Sequence, residues 1–359
     1  MAVVLAAVAL LGAACATTEK GSSGGGGGGG AKKIALFLPE SKTTRYEEQD
    51  RPNFERRVKE LCGDCEVLYS NADQDAAKQQ QQAEAAITNG AKVLVLDAVD
   101  VQSAASIVAR AKQSQIPVIS YGRLVAKADL DYYVSIDPFA VGKQQGEALL
   151  DALKGKPSPT VVMINGSPSD SNAPPYKKGA HSVLDPAGVK VGKEYDTPDW
   201  SPDKAQTEME QAITALGKDG FDGVYVANDG MASGVIAALK GASIDPSSVP
   251  VTGQDAETAA IQRILAGDQL MTVYQPIKRI ASTAAELAVD LVDGKRSDAD
   301  KLATAKVNNG QKDVPSVLLE TVVVTKDNIK ETVIADGFLK ADQICTGSYQ
   351  KACQAAGIS

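Results

Sequence analysis

From Lys32 onward, short apolar runs rich in β-branched residues alternate with segments of helical periodicity, which restricts the chain to parallel sheets covered by helices. The runs KIALFLP, EVLYSN, KVLVLDA, IPVISYG and YYVSID come first. After Pro138 the pattern restarts as TVVMING, KVGKEY, FDGVYVAN, VPVTGQ and LMTVYQP. The restart predicts two doubly wound α/β lobes of similar topology, and 359 residues with 43% hydrophobic content are enough for two cores. The helix in AAKQQQQAEAAITNG is predicted to end at Gly90 in a left-handed cap. No unit of about 20 to 50 residues repeats, so a solenoid is excluded.

Ahead of this body lies a separate segment. Ala2 to Ala14 is apolar but falls short of the roughly 20 residues that cross a bilayer, and it ends in LLGAAC. Small residues before Cys15 look like a bacterial lipobox, which predicts a cleaved lipoprotein-type leader over residues 1–14 and a lipid on Cys15. The Ser/Gly-rich stretch 15–30 buries too little surface to fold and reads as a tether spanning roughly 20–24 Å. An exported chain favours disulfides. The remaining cysteines allow three pairings; nearest neighbours, Cys62–Cys65 and Cys345–Cys353, are expected because each staples a short surface turn. Zinc is the weaker alternative, since the seven residues inside CTGSYQKAC exceed the usual ligand spacing.

In each half, apolar runs stop at polar clusters: LPESKTTRYEEQD, SYGR, INGSPSDSN, VANDG, TGQDAE and VYQP. Carboxyl ends of strands in open α/β sheets face the crevice where ligands bind, so these clusters converge if the lobes face each other. The plainer alternative is that Asn228, Asp229 and Asp255 only cap the helices that follow. A net charge of -8 argues against nucleic acid or an anionic membrane surface as a partner. Nor is there a nucleophile elbow, Walker loop or G-x-G-x-x-G, and the sole histidine, His181, sits in a helical surface context, so an enzyme is not expected. Asp229 and Asp255 form a conceivable glycosidase pair, yet the same pair serves binding without chemistry. No cofactor or metal is expected.

Over nearly the whole chain after the tether, the segments RYEEQDRPNF, SYGRL, YYVSID, INGSPSDSNA, VANDGMASG, GQDAETAAIQRI, MTVYQPI and VNNGQKDVPSVLLETVVVT are similar to the D-xylose-binding proteins of bacterial ABC importers. That resemblance implies the type I periplasmic-binding-protein fold, two doubly wound parallel-sheet lobes joined by a three-segment hinge. Crossings are expected near Asp137–Pro138, Gln275–Pro276 and Val307–Gly310. The first lobe is then 31–137 plus 276–307, the second 138–275 plus 308–344, and 345–359 a C-terminal tail.

Motif by motif, the resemblance implies that Arg45 and Arg123 donate to the sugar from the first lobe, and that Asn172, Asn228 and Asp255 face them from the second. Trp200 matches an aromatic lying against the sugar, and Tyr46 stands where the family often has Trp; Asp229 and Gln275 complete the expected site. A pyranose offers vicinal hydroxyls to planar polar groups and an apolar C–H face to a ring. Two positions depart from the family pattern. Gly122 replaces the Asp of Tyr-Asp-Arg, and Gln275 replaces the Lys of Val-Tyr-Lys-Pro. The expected function is capture of a neutral monosaccharide, D-xylose or a related aldose, by a monomer outside the cytoplasm, anchored through Cys15, that delivers it to an ABC permease. A chemoreceptor or sensor-kinase partner is the alternative. A sugar-responsive repressor shares the fold, but would carry a basic helix-turn-helix where this chain has glycines.

Overall fold

The computed structural model describes residues 32–358. The first lobe opens with β1 (Lys32–Leu38), α1 (Arg51–Leu61), β2 (Cys65–Asn71), α2 (Ala76–Thr88), β3 (Ala91–Leu96), α3 (Ala105–Gln113), β4 (Val118–Tyr121) and β5 (Tyr132–Ile136). The chain crosses into α4 (Pro138–Ala152), β6 (Thr160–Asn165), α5 (Ala173–Leu184), β7 (Lys190–Asp196), α6 (Pro202–Leu216), β8 (Gly223–Val226), α7 (Asp229–Gly241), α8 (Thr258–Ala266) and β9 (Thr272–Tyr274). It returns through α9 (Ile277–Val292), α10 (Arg296–Leu302), β10 (Ala305–Asn308) and β11 (Asp313–Leu319), then crosses to β12 (Val322–Val324), α11 (Ala341–Ile344) and α12 (Gln350–Ala355). The leader, the tether and Cys15 lie outside the described residues.

Among the described residues, the first sheet has the order β10-β11-β5-β4-β3-β1-β2 and is parallel except between β10 and β11. Helices cover both faces, so β1 and β3 are buried on both sides and read as unbroken apolar runs. The second sheet, β7-β6-β8, is parallel too. Bridges from Val224 to Val251 and from Gln254 to Val273 join it to an antiparallel β9–β12 ribbon. The run VPVTGQ is thus tied to both neighbours without forming a continuous ladder, as Pro250 lacks an N–H.

At the first crossing Asp137 caps α4, accepting from Phe139 N at 2.9 Å and Ala140 N at 3.2 Å, with Pro138 at the first helical position. The second lies at Gln275–Pro276, between β9 and α9. The third is not at Val307–Gly310. There Asn309 N bonds Lys312 O at 3.1 Å, Gly310 takes φ +87°, and β10 and β11 form a hairpin whose second strand, β11, pairs with β5 while β10 forms the sheet edge. Residues 308–319 therefore belong to the first sheet, and the chain crosses at Glu320–Thr321, where Thr321 Oγ1 donates to Gln144 Oε1 of α4 at 2.9 Å.

The segment expected as a tail is packed: Cys353 and Ile358 are buried in one cluster with Ile261, Ile264 and Leu265 of α8. Cys345–Cys353 closes this element and Cys62–Cys65 closes the turn after α1, so neither pair offers thiolates to a metal.

Candidate functional site

The carboxyl ends of both sheets meet at a cleft of about 500 Å³, open mouth included. Arg45, Tyr46, Arg123, Asn172, Trp200, Asn228, Asp255 and Gln275 all line it, together with Thr43, Asp97, Asp170, Tyr176 and Gln254.

On the first lobe, the loop after β1 ends in a wide π-turn over Tyr46–Asp50 that leads into α1. This turn brings the Asp50 carboxylate back to Arg45, which donates from Nε at 2.8 Å and from Nη2 at 2.9 Å. Tyr121 also donates to Asp50. Burial works against the Arg45 charge, but the Asp50 carboxylate more than restores it and holds the guanidinium firmly protonated. Arg45 Nη1 donates to Gln275 Oε1 at 3.1 Å, and Gln275 Nε2 donates to Asp255 Oδ1 at 3.0 Å. Gln275 thus links the two charged groups, which lie 3.7 Å apart. An ammonium at this position could not accept from Arg45.

Arg123 follows the end of β4. Its Nη1 donates to Ala98 O at 2.9 Å, and its Nη2 to Tyr46 Oη at 3.4 Å. Its Nε lies 2.8 Å from Asp170 Oδ2 of the second lobe and 3.6 Å from Asp97 Oδ1. Asp170 is also the acceptor for Trp200 Nε1 at 3.1 Å. Further bonds cross the cleft: Asn172 Nδ2 donates to Gly122 O at 3.1 Å, Leu124 N to Ser171 Oγ at 2.7 Å, and Val101 N to Ser169 O at 3.2 Å. The structure is therefore a closed form.

The Trp200 ring needs a bare neighbour. A Cβ on Gly166, at the end of β6, would fall 2.0 Å from the indole. Asp199 and Trp200 take φ values of +61° and +53°, a left-handed conformation unusual for a bulky residue and typical of ligand clamps. Tyr176 meets the indole edge-on with centroids 6.4 Å apart.

Asn228 is both a cap and a wall residue: its Oδ1 accepts from Met231 N at 3.0 Å while the residue faces the cleft. Asp229, expected beside it, does not reach the cleft. One step along a helix turns a side chain by roughly 100°, and this turn sends Asp229 into the lobe. There it accepts from Gln269 Nε2 at 2.8 Å, Thr272 Oγ1 at 2.8 Å and Glu257 N at 3.1 Å. Burial pushes its carboxyl up to about 7 and that of Glu257 to about 8. Burial also raises Asp255, with Arg45 drawing it back. His181 lies on α5 away from the cleft, bonded to Asp185 at 2.9 Å and Glu194 at 3.1 Å.

Two α/β lobes enclosing a polar cleft with an aromatic wall define a two-lobed binding protein of the type I periplasmic kind. Residues 34–296 match the periplasmic binding protein domain family, and the chain belongs to it. It is 38% identical over 316 residues to the D-xylose-binding periplasmic protein of Escherichia coli (strain K12), covering 87% of this chain and 92% of that one. To the multiple sugar-binding periplasmic receptor ChvE of Rhizobium radiobacter it is 34% identical, over 76% of this chain and 81% of the receptor. Among solved structures, a carbohydrate transporter solute binding protein from Chloroflexus aurantiacus in complex with D-glucose superimposes with a TM-score of 0.78 at 30% identity, covering 87% of this chain and 98% of that one.

Proposed function

We propose that this protein captures a neutral monosaccharide, D-xylose or a related aldose, outside the cytoplasm and delivers it to the permease of an ABC importer. One observation carries the reading. Hydrogen-bonding groups of both polarities and a clamped indole, drawn from strand ends of both lobes, converge on a single cleft. Arg45 and Arg123 face Asp97, Asp170 and Asp255 there, a balance that suits hydroxyls, which both donate and accept, over an anionic sugar. The related proteins that bind D-xylose, several sugars or D-glucose support the same class of solute.

A sugar held by one lobe gives the other lobe partners it lacks, so binding favours closure, and the closed shape is what a permease reads. Lipidation of Cys15 would keep the body beside that permease, and a monomer suffices for this cycle. Isothermal titration of the purified protein with pentoses and hexoses, paired with thermal unfolding, tests the reading. At least one aldose is expected to bind with micromolar or tighter affinity, about -8 kcal/mol, and to raise the melting temperature. Absence of binding and of any shift across the panel would overturn it.

A further inference from the structure

We propose that Asp97, at the end of β3, is a sugar-contacting residue whose carboxylate occupies the space that a side chain at position 122 would otherwise take. The inference rests on the monosaccharide reading and extends it to a residue that the family motifs do not name.

Asp97 lines the cleft at 1% exposure, and its Oδ1 has no hydrogen-bond partner among the described residues. Buried carboxylate oxygens are rarely left unfilled, because an unmet acceptor weakens the fold. Yet this one is held with care. Asp97 N donates to Phe37 O at 3.0 Å; Gln79 Nε2 donates to Asp97 O at 2.8 Å while Gln79 Oε1 accepts from Val99 N at 2.9 Å; and Arg123 grips Ala98 O between them. A backbone fixed on both sides of an unmatched acceptor is arranged for a donor that arrives from outside.

Gly122 supplies the space. A Cβ there would lie 2.6 Å from Asp97 Oδ2, so a carboxylate at 122 and one at 97 exclude each other. The family pattern has aspartate at 122; here the acid enters the same corner from the neighbouring strand. Asp97 Oδ1 and Arg123 Nε, 3.6 Å apart, set an acceptor beside a donor. A sugar hydroxyl seated there accepts from Arg123 and donates to Asp97. A deoxy position leaves the Asp97 oxygen unmet, while Arg123 keeps Asp170.

The test is titration of the full chain and its variants with D-xylose and D-glucose. Asp97→Ala is expected to bind the preferred sugar roughly 10- to 100-fold more weakly, with a ligand-free melting temperature equal to or above that of the parent. Gly122→Asp alone is expected to lose binding. The double variant Asp97→Ala/Gly122→Asp, with the acid moved across the corner, is expected to recover to within roughly threefold of the parent, since Asp tolerates the φ of +64° at 122. Unchanged affinity in Asp97→Ala, or a double variant no better than Gly122→Asp, overturns the assignment while leaving the sugar reading intact. A parent protein that binds neither sugar defeats both together.

Discussion

Arg123 of the first lobe and Asp170 of the second meet at 2.8 Å across the cleft, and Trp200 Nε1 donates to the same carboxylate oxygen. Burial works against the charge on Arg123, and Asp170 is the strongest of the groups that sustain it. The pair thus connects the lobes and positions the aromatic wall with one carboxylate.

Asp170→Ala leaves a buried guanidinium without its nearest anion, a loss of about 3–5 kcal/mol when such a pair is broken inside a fold. Closure is where this protein feels it. Sugar affinity is expected to fall at least about 30-fold, and X-ray scattering of the ligand-free variant to show a larger radius of gyration than the parent. Identical scattering and affinity would remove Asp170 from the closing contact.

Trp200 is the chain's single tryptophan, so its fluorescence reports directly on the cleft. Sugar titration is expected to shift or quench that emission. Gly166→Ala drives a methyl into the indole, and overpacking of this kind, about 1–3 kcal/mol, predicts a roughly 5- to 150-fold weaker site. A variant with parental emission and affinity would show that the ring does not depend on its bare neighbour.

Asp255→Ala removes the acceptor for Gln275 and the second anion near Arg45. The expected loss is on the order of 2–3 kcal/mol, roughly 30- to 150-fold in affinity by calorimetry. Gln275→Ala should weaken binding less, because Arg45 keeps Asp50. The reverse ranking would contradict the bridging geometry.

Glu257 faces Asp229, Asp255, Arg263 and the backbone at Thr44, and both it and Asp229 hold their protons more tightly folded than unfolded, where carboxyls titrate at roughly 4. The folded state therefore binds more protons between pH of about 4 and about 8, and stability falls as pH rises through that window. The melting temperature of the ligand-free protein is expected to drop from pH 5 to pH 8.5, and Glu257→Gln to flatten the slope. A slope unaltered by the substitution would place the titration elsewhere.

Much of this architecture is written locally. Strands β1 and β3 to β6 show themselves because burial on both faces forces apolar runs, and the Gly90 cap because only a left-handed residue ends α2 there. What escaped depends on distance or on rotation. Asp229 reads like Asn228 because adjacent polar letters look alike, while the helix points them to different sides of a wall. Asp50 and Asp170 sat within recognised polar clusters, but only a π-turn and a closed cleft select them from their neighbours. Asp97 follows an apolar run like many loop acids, and its meaning comes from Gly122, which is remote in the chain. The third crossing is hidden because Asn309 and Gly310 mark a turn, and a turn in sequence does not say whether the chain stays within its sheet.

The bonds from Leu124 N to Ser171 and from Val101 N to Ser169 join the two lobes without using any group that a solute would supply. They must part before anything inside can leave, whatever it is. Escape is then timed by one opening step shared among all captured molecules, so sugars of unequal affinity should differ mainly in how often they succeed in shutting the door. Stopped-flow release rates that cluster together for a pentose and a hexose, beside association rates that spread apart, would be its kinetic signature.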